Sequence, residues 1–297
     1  MIINKNMSSK QDKINRTNWA QFAQRKIEDF PPIILSYFLI GNWRIWNFKN
    51  LLYINNNSTL FAFRGKEELK NLYNEIRQFK RKKFLEIAKD TRNVVSKTIS
   101  LLEDIKSKEL AELSDYELKK KLHNLNEDLY KFAAYFVYVQ YIGHVFNNNP
   151  KILKYFDNNT LHIIRVNPLI SKIQKKLNIF FAEISARKPI KKNYLKWCFP
   201  SEIEKIFINK NVKYFDKLNK KIKLRQKYFI WALINGKQIF CAGKTAKKIA
   251  SDFLKQKKSN FQINVIKGNK AYGGLVKGVV RIIRDKRDFN KIRRGDV

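Results

Sequence analysis

From Lys66 onward, apolar residues recur at helical spacing: Leu69, Leu72, Tyr73, Ile76 and Phe79, with Ile87, Val94, Val95, Leu102 and Ile105 continuing the face. Residues three and four apart share one side of a helix, so this stretch predicts an amphipathic helix. A second helix starts at Ser114, where Ser114 and Glu117 have the spacing of a capping box. Its stripe is Leu118, Leu122, Leu125, Leu129, Phe132 and Phe136, and the three asparagines and Pro150 end it. The uncharged run from Phe132 to Pro150 holds only about 15 apolar residues, short of the roughly 20 that cross a bilayer, so it reads as a buried helix. A third helix spans Leu169 to Ile184, with Ile170, Ile173, Leu177, Phe181 and Ile184 on one face. Ser201 and Glu204, after Pro200, predict a capping box opening a short helix through Phe207.

On either side of this helical centre the pattern changes. Residues 1–30 read as a polar arm running into a short amphipathic segment around Trp19 and Phe22. Residues 31–65 are rich in aromatic and β-branched side chains and are broken by Gly41 and by Asn55–Asn57, which predicts short strands or a mixed segment. After about residue 220, Asn235-Gly236 sits between two apolar runs. Both central residues of a type I′ turn need positive φ, so this pair predicts a β-hairpin. A helix over Thr245 to Lys255 follows, then two strands around Gln262–Gly268 and Leu275–Asp285.

Composition adds a charge problem. The chain has 297 residues, 62 Lys+Arg against 25 Asp+Glu, and a formal charge of +37. A polyanionic partner is the first thing such a balance suggests. Lysine outnumbers arginine roughly three to one, however, and Asn, Ile, Phe and Tyr are abundant too. Dedicated nucleic-acid readers lean on arginine for bidentate and stacked contacts, so the excess reads mainly as compositional bias and nucleic acid is not the favoured partner. The 44% hydrophobic content supports a folded core. Cys198 and Cys241 lie far apart with no metal-site or disulfide spacing, which fits a reducing, cytoplasmic setting, and the polar N-terminus lacks a secretory h-region.

Candidate chemistry is sparse. Gly243-Lys244-Thr245 resembles the end of a phosphate-binding loop, but the glycine needed five residues earlier is Gln238, so a hairpin-to-helix turn with Thr245 as N-cap is the simpler reading. His123, His144 and His162 lack metal-ligand spacing and read as structural histidines. No residue is singled out as catalytic, cofactor-binding or metal-ligating.

The C-terminal stretch carries the most specific pattern: Gly268-x-x-Ala271-x-x-Gly274-x-x-x-Gly278-x-Val280, an acidic residue at Asp285 or Asp288, and Gly295-Asp296-Val297. It resembles the opening of the mobile phosphohistidine domain of phosphoenolpyruvate-utilising enzymes, the group of phosphoenolpyruvate synthase, pyruvate phosphate dikinase and rifampin phosphotransferase. Leu113-Ser114-Asp115-Tyr116-Glu117-Leu118 is similar to a helix start in that family's central region. Arg187 through Phe207, with its Pro200-x-Glu202-Ile203, resembles a second helix there. Arg225-x-x-Tyr228 and the following hairpin resemble the segment just before the mobile domain.

The patterning gives an α+β chain, with residues 1–65 a polar arm and mixed segment, 66–210 a helical region and 211–262 a hairpin–helix segment. The resemblance, which does not reach the first 110 residues, implies that 263–297 is the incomplete start of a swivelling domain. In the family a histidine on that domain accepts a phosphoryl group and carries it between two sites, because imidazole is nucleophilic near neutral pH. The resemblance places that histidine in a Gly-Gly-x-x-Ser-His segment beyond Val297, and none of this chain's three histidines matches it. The expectation is therefore a fragment of a kinase-type transferase, or a degenerate member, that does not transfer phosphate alone. ATP and Mg2+ are expected for the complete enzyme, with a separate ATP-grasp domain or subunit and a small-molecule substrate or phosphoenolpyruvate as partners. A basic nucleic-acid-binding or scaffold protein is the alternative, and its strongest feature is residues 187–258, where roughly twenty basic residues face four acidic ones.

Overall fold

In a computed structural model of the chain, the structure describes residues 11–146, 149–156 and 168–259. After a helical turn over residues 11–16 come strand β1 (Trp19–Lys26), helix α1 (Pro32–Trp46), and the hairpin β2 (Leu51–Asn56) and β3 (Thr59–Gly65). The helical region holds α2 (Lys66–Arg77), α3 (Arg81–Glu103), α4 (Ser107–Glu112), α5 (Asp115–Val145), α6 (Pro150–Leu153), α7 (Pro168–Arg187), α8 (Lys192–Leu195), α9 (Pro200–Ile208) and α10 (Val212–Lys227). Hairpin β4 (Tyr228–Ile234) and β5 (Lys237–Ala242) and helix α11 (Lys244–Ser259) follow. The chain is α+β.

The five strands among the described residues form one antiparallel sheet in the order β1-β3-β2-β4-β5. The β2–β4 pairing, from Leu51↔Leu233 to Asn56↔Tyr228, joins the N-terminal segment to the hairpin that follows the helices. The pattern changes near residues 65 and 210 are therefore not domain boundaries. A compact unit runs from Met1 to Lys255, and residues 256–297 form a second unit.

Strand residues alternate between two cores, as a period of two requires. Leu51, Tyr53, Phe229, Trp231 and Leu233 pack with the helices. Leu52, Ile54, Ile230, Ala232 and Ile234 pack beneath α11, against Ala246, Ile249, Ala250 and Phe253, together with Ile14 and Trp19. Burial on both faces explains why these strands read as continuous apolar runs instead of alternating ones.

Several expectations need correction. Of the two readings of residues 31–65, the mixed segment holds: residues 32–46 form a helix and only Leu51–Asn56 and Thr59–Gly65 are strands. Pro32 suits the first helical turn, and Asn47 in the left-handed region (φ 53°) closes the end. Nearly every side chain from Pro32 to Leu39 is buried, so no amphipathic stripe betrays the helix. The helix crosses α5 so closely that a Cβ on Gly41 would collide with the Tyr130 carbonyl oxygen. The segment around Trp19 is a strand. The long helix from Lys66 is two helices, interrupted at residues 78–80. Asn235 and Gly236 have φ of 49° and 76°, as the hairpin turn requires. The strands expected after residue 260 and the glycine pattern from Gly268 lie outside the described residues.

Local chemistry fixes the helix ends that frame the functional region. The capping box at Ser114 forms: Ser114 Oγ accepts from Glu117 N at 3.2 Å, and Glu117 Oε2 accepts from Ser114 N at 2.8 Å. At α9 the box is not Ser201 with Glu204; Glu202 reaches back to the Phe199 amide at 3.0 Å, leaving Glu204 free for another partner. Helix α11 begins one residue after Gly243, whose carbonyl accepts from Lys247 N at 2.9 Å. Gly243 thus occupies the cap position and Thr245 lies within the first turn. The C-terminal carbonyls of α10 are met by Asn55, fully buried on β2, whose Nδ2 donates to Arg225 O at 3.2 Å.

Candidate functional site

Two clusters of polar side chains hold the segments that carried the family resemblance. In the first, the Arg225 guanidinium makes a bidentate pair with Glu202, both bonds at 2.6 Å, and donates to Trp197 O at 2.9 Å. Its carbon stands 4.3 Å from the Phe199 ring centroid and 5.2 Å from that of Phe240. In the second, Arg187 donates to the carbonyls of Leu110, Ala111 and Leu113 where α4 ends, and pairs with Glu183 at 2.6 Å and Asp115 at 3.3 Å. A cation at the carbonyl end of a helix complements the helix dipole. Lys188 also reaches Asp115 at 2.6 Å, and this hydrogen bond, with Arg187 beside it, holds the Asp115 carboxyl below its usual range.

Next to the first cluster lies a cleft of about 320 Å3 between α1, α5, the start of α9 and the β4–β5 hairpin. Helix α5 supplies His123, Asn126, Glu127 and Tyr130, spaced so that all four share one helical face. Helix α1 adds Ile40 and Arg44 one turn apart. The aromatic wall is Phe199, Trp231 and Phe240, with Phe199 4.5 Å from Trp231 and 5.0 Å from Phe240 between ring centroids. The volume falls at the small end of the range for small-molecule pockets.

The charges around the cleft are paired. Arg44 Nη1 lies 2.9 Å from Glu127 Oε1 and its guanidinium carbon 5.0 Å from the Tyr130 ring centroid. His123 Nδ1 lies 3.0 Å from Glu204 Oε1. The carboxylate orients the imidazole. Tyr130 is pushed up to about 12 by burial, with Arg44 pulling down and Glu127 and Glu204 pushing up, so its hydroxyl stays a donor at neutral pH.

Sequence patterning placed His123 beside an apolar stripe as a structural histidine. It is half exposed on the rim of the cleft, paired to a carboxylate 81 positions away. His144 is exposed in the last turn of α5, and His162 lies outside the described residues. The polar string His123, Asn126, Glu127, Tyr130 was the available signal, since it has the same helical period as the stripe it flanks. The loop-like Gly243-Lys244-Thr245 does not reach the cleft lining; Gln238 does. Among the described residues, no three His, Cys, Asp or Glu side chains are grouped to hold a metal ion, and no helix is long and apolar enough to cross a membrane.

No family model, curated protein or solved structure matches the chain.

Proposed function

We propose that the chain is part of a cytoplasmic phosphotransferase of the phosphoenolpyruvate-utilising kind, whose described residues form a helical platform ahead of a swivelling phosphohistidine domain. One observation carries the reading: the motif segments within the described residues hold one another in place. Glu202 of the Pro-x-Glu-Ile helix pairs with Arg225 of the Arg-x-x-Tyr segment, and Arg187 binds the start of the Leu113–Leu118 segment. Residues whose spacing resembled one family are thus the residues that fix this platform's geometry, next to the hairpin and helix that lead toward Gly268.

In this reading the carrier imidazole attacks the terminal phosphorus of the donor, displaces the leaving group, and holds the phosphoryl group on nitrogen until an acceptor oxygen takes it. Rigid-body swivelling lets one carrier serve two sites. ATP and Mg2+ belong to a separate nucleotide-binding domain or subunit, as the family resemblance implies for the complete enzyme.

The test is phosphorylation of the protein, at the length its cell makes it, with labelled ATP or phosphoenolpyruvate. Acid-labile, base-stable label on that protein is the expected result, with the 297-residue chain alone unlabelled. Absence of label from both donors overturns the proposal. Label on the isolated chain overturns the assignment of the carrier outside His123, His144 and His162.

A further inference from the structure

Three nearly buried side chains line the cleft with hydrogen-bond donors that no described residue accepts. Asn126 is 2% exposed; its Oδ1 accepts from Tyr37 Oη at 2.7 Å, while its Nδ2 has no acceptor among the described residues. Trp231 Nε1, on a side chain 4% exposed, and Tyr130 Oη, on one 7% exposed, likewise lack an acceptor among those residues. None of the three atoms is among the sealed polar atoms without a partner, so each still meets open space, and the cleft is the open space their side chains share. The Tyr130 hydroxyl feels Arg44, Glu127 and Glu204, all of the cleft wall.

Polar groups this deeply buried are normally satisfied, and leaving a donor unmet is costly. All three lack the same thing, an acceptor oxygen. The two carboxylates in the cleft do not supply it: Glu127 is engaged by Arg44 and Glu204 by His123. The start of α9 at Pro200 and Ser201 adds the positive end of a helix dipole to the rim. Phe199, Trp231 and Phe240 line the same cleft with aromatic rings, which favour a flat, apolar ring as ligand.

From the unmet donors of Asn126, Tyr130 and Trp231 and the adjoining aromatic wall, we infer that this cleft binds a small planar aromatic carboxylate. The carboxylate oxygens accept from the amide, hydroxyl and indole donors, and the ring lies against the aromatic wall. Binding at this cleft does not require phosphoryl transfer, so the site stands or falls apart from the proposed function.

The test is titration of the full chain with benzoate and 1-naphthoate by calorimetry and ligand-observed NMR. Cyclohexanecarboxylate controls for the ring and benzyl alcohol for the carboxylate. At least one aromatic carboxylate binds, and both controls bind about tenfold more weakly, the scale of one lost contact. Tyr130→Phe, which removes one donor and keeps the ring, weakens binding by up to about tenfold. Ser201→Trp, at an exposed position on the cleft, abolishes binding without changing the melting temperature of the free protein. Failure of both aromatic carboxylates to bind overturns the inference and assigns the donors to water. Binding that survives both substitutions unchanged overturns it too.

Discussion

Glu202 and Arg225, 23 positions apart, form an ion pair with side chains only 17% and 4% exposed. The pair ties the first turn of α9 to the last of α10, and the guanidinium rests on Phe199 and Phe240 behind the cleft wall. Removing one member of such a pair strands a buried charge, which typically costs about 3–5 kcal/mol. Arg225→Met should therefore lower unfolding free energy by that amount in urea titrations. The double variant Glu202→Leu/Arg225→Met should recover much of the loss, because no charge is left stranded. A double variant as unstable as the single one would show that packing of the arginine stem on the aromatic rings dominates.

Gly41 sits where α1 and α5 touch. A methyl group there would collide with the Tyr130 carbonyl oxygen, and backbone cannot rotate away as a side chain tip can. Alanine is otherwise the better helix former by up to about 1 kcal/mol. Gly41→Ala should nonetheless destabilise, by about 1–3 kcal/mol or more, as overpacked cores do. Thermal unfolding decides: a raised melting temperature would mean that the two helices can move apart at no cost.

Cys198 and Cys241 have different surroundings, the first buried and the second half-buried. Burial pushes the Cys198 thiol far up, with the Glu202 carboxylate adding to the effect and Arg225 opposing it. Since the thiolate is the reactive form, Cys198 should resist a thiol reagent at neutral pH in the native protein and react once denaturant is added. Peptide mapping after alkylation reads this directly. Native-state modification of Cys198 would place it in a region that opens easily.

The helices with one apolar face were legible in the sequence, and so was the Asn235-Gly236 hairpin, because in each case a local rule decides the conformation. Helix α1 was not, since its neighbours bury it all round and erase the period that would announce it. The single sheet was not legible either: β2 and β4 pair across the whole helical region, and nothing near Leu51 or Leu233 specifies that partner. The candidate site shares this difficulty. His123 through Tyr130 form a visible polar string, but Glu204, Trp231 and Phe240 reach it only through tertiary packing. Glu204 was misassigned because Ser201-x-x-Glu204 and Glu202 compete for the same helix end, and the backbone amide of Phe199 goes to Glu202.

Alkali should unfold the protein through its tyrosines. Burial raises Tyr37, Tyr53, Tyr130, Tyr138 and Tyr141 above the ordinary phenol value; Tyr37 is raised further by Tyr130, and Tyr53 and Tyr141 are partly pulled back by Arg64. Tyr130 and Tyr141 are pushed up to about 12. In the unfolded chain the same groups ionise near about 10. A raised pKa in the fold means that the unfolded state releases its protons first, so the stabilisation is complete below about pH 10 and falls as pH rises toward about 12. Tyrosinate absorbance and helical circular dichroism should therefore change together within that window, as one cooperative transition. Ionisation of these tyrosines near pH 10 with helicity intact would place them at a wet, yielding part of the fold instead of its core.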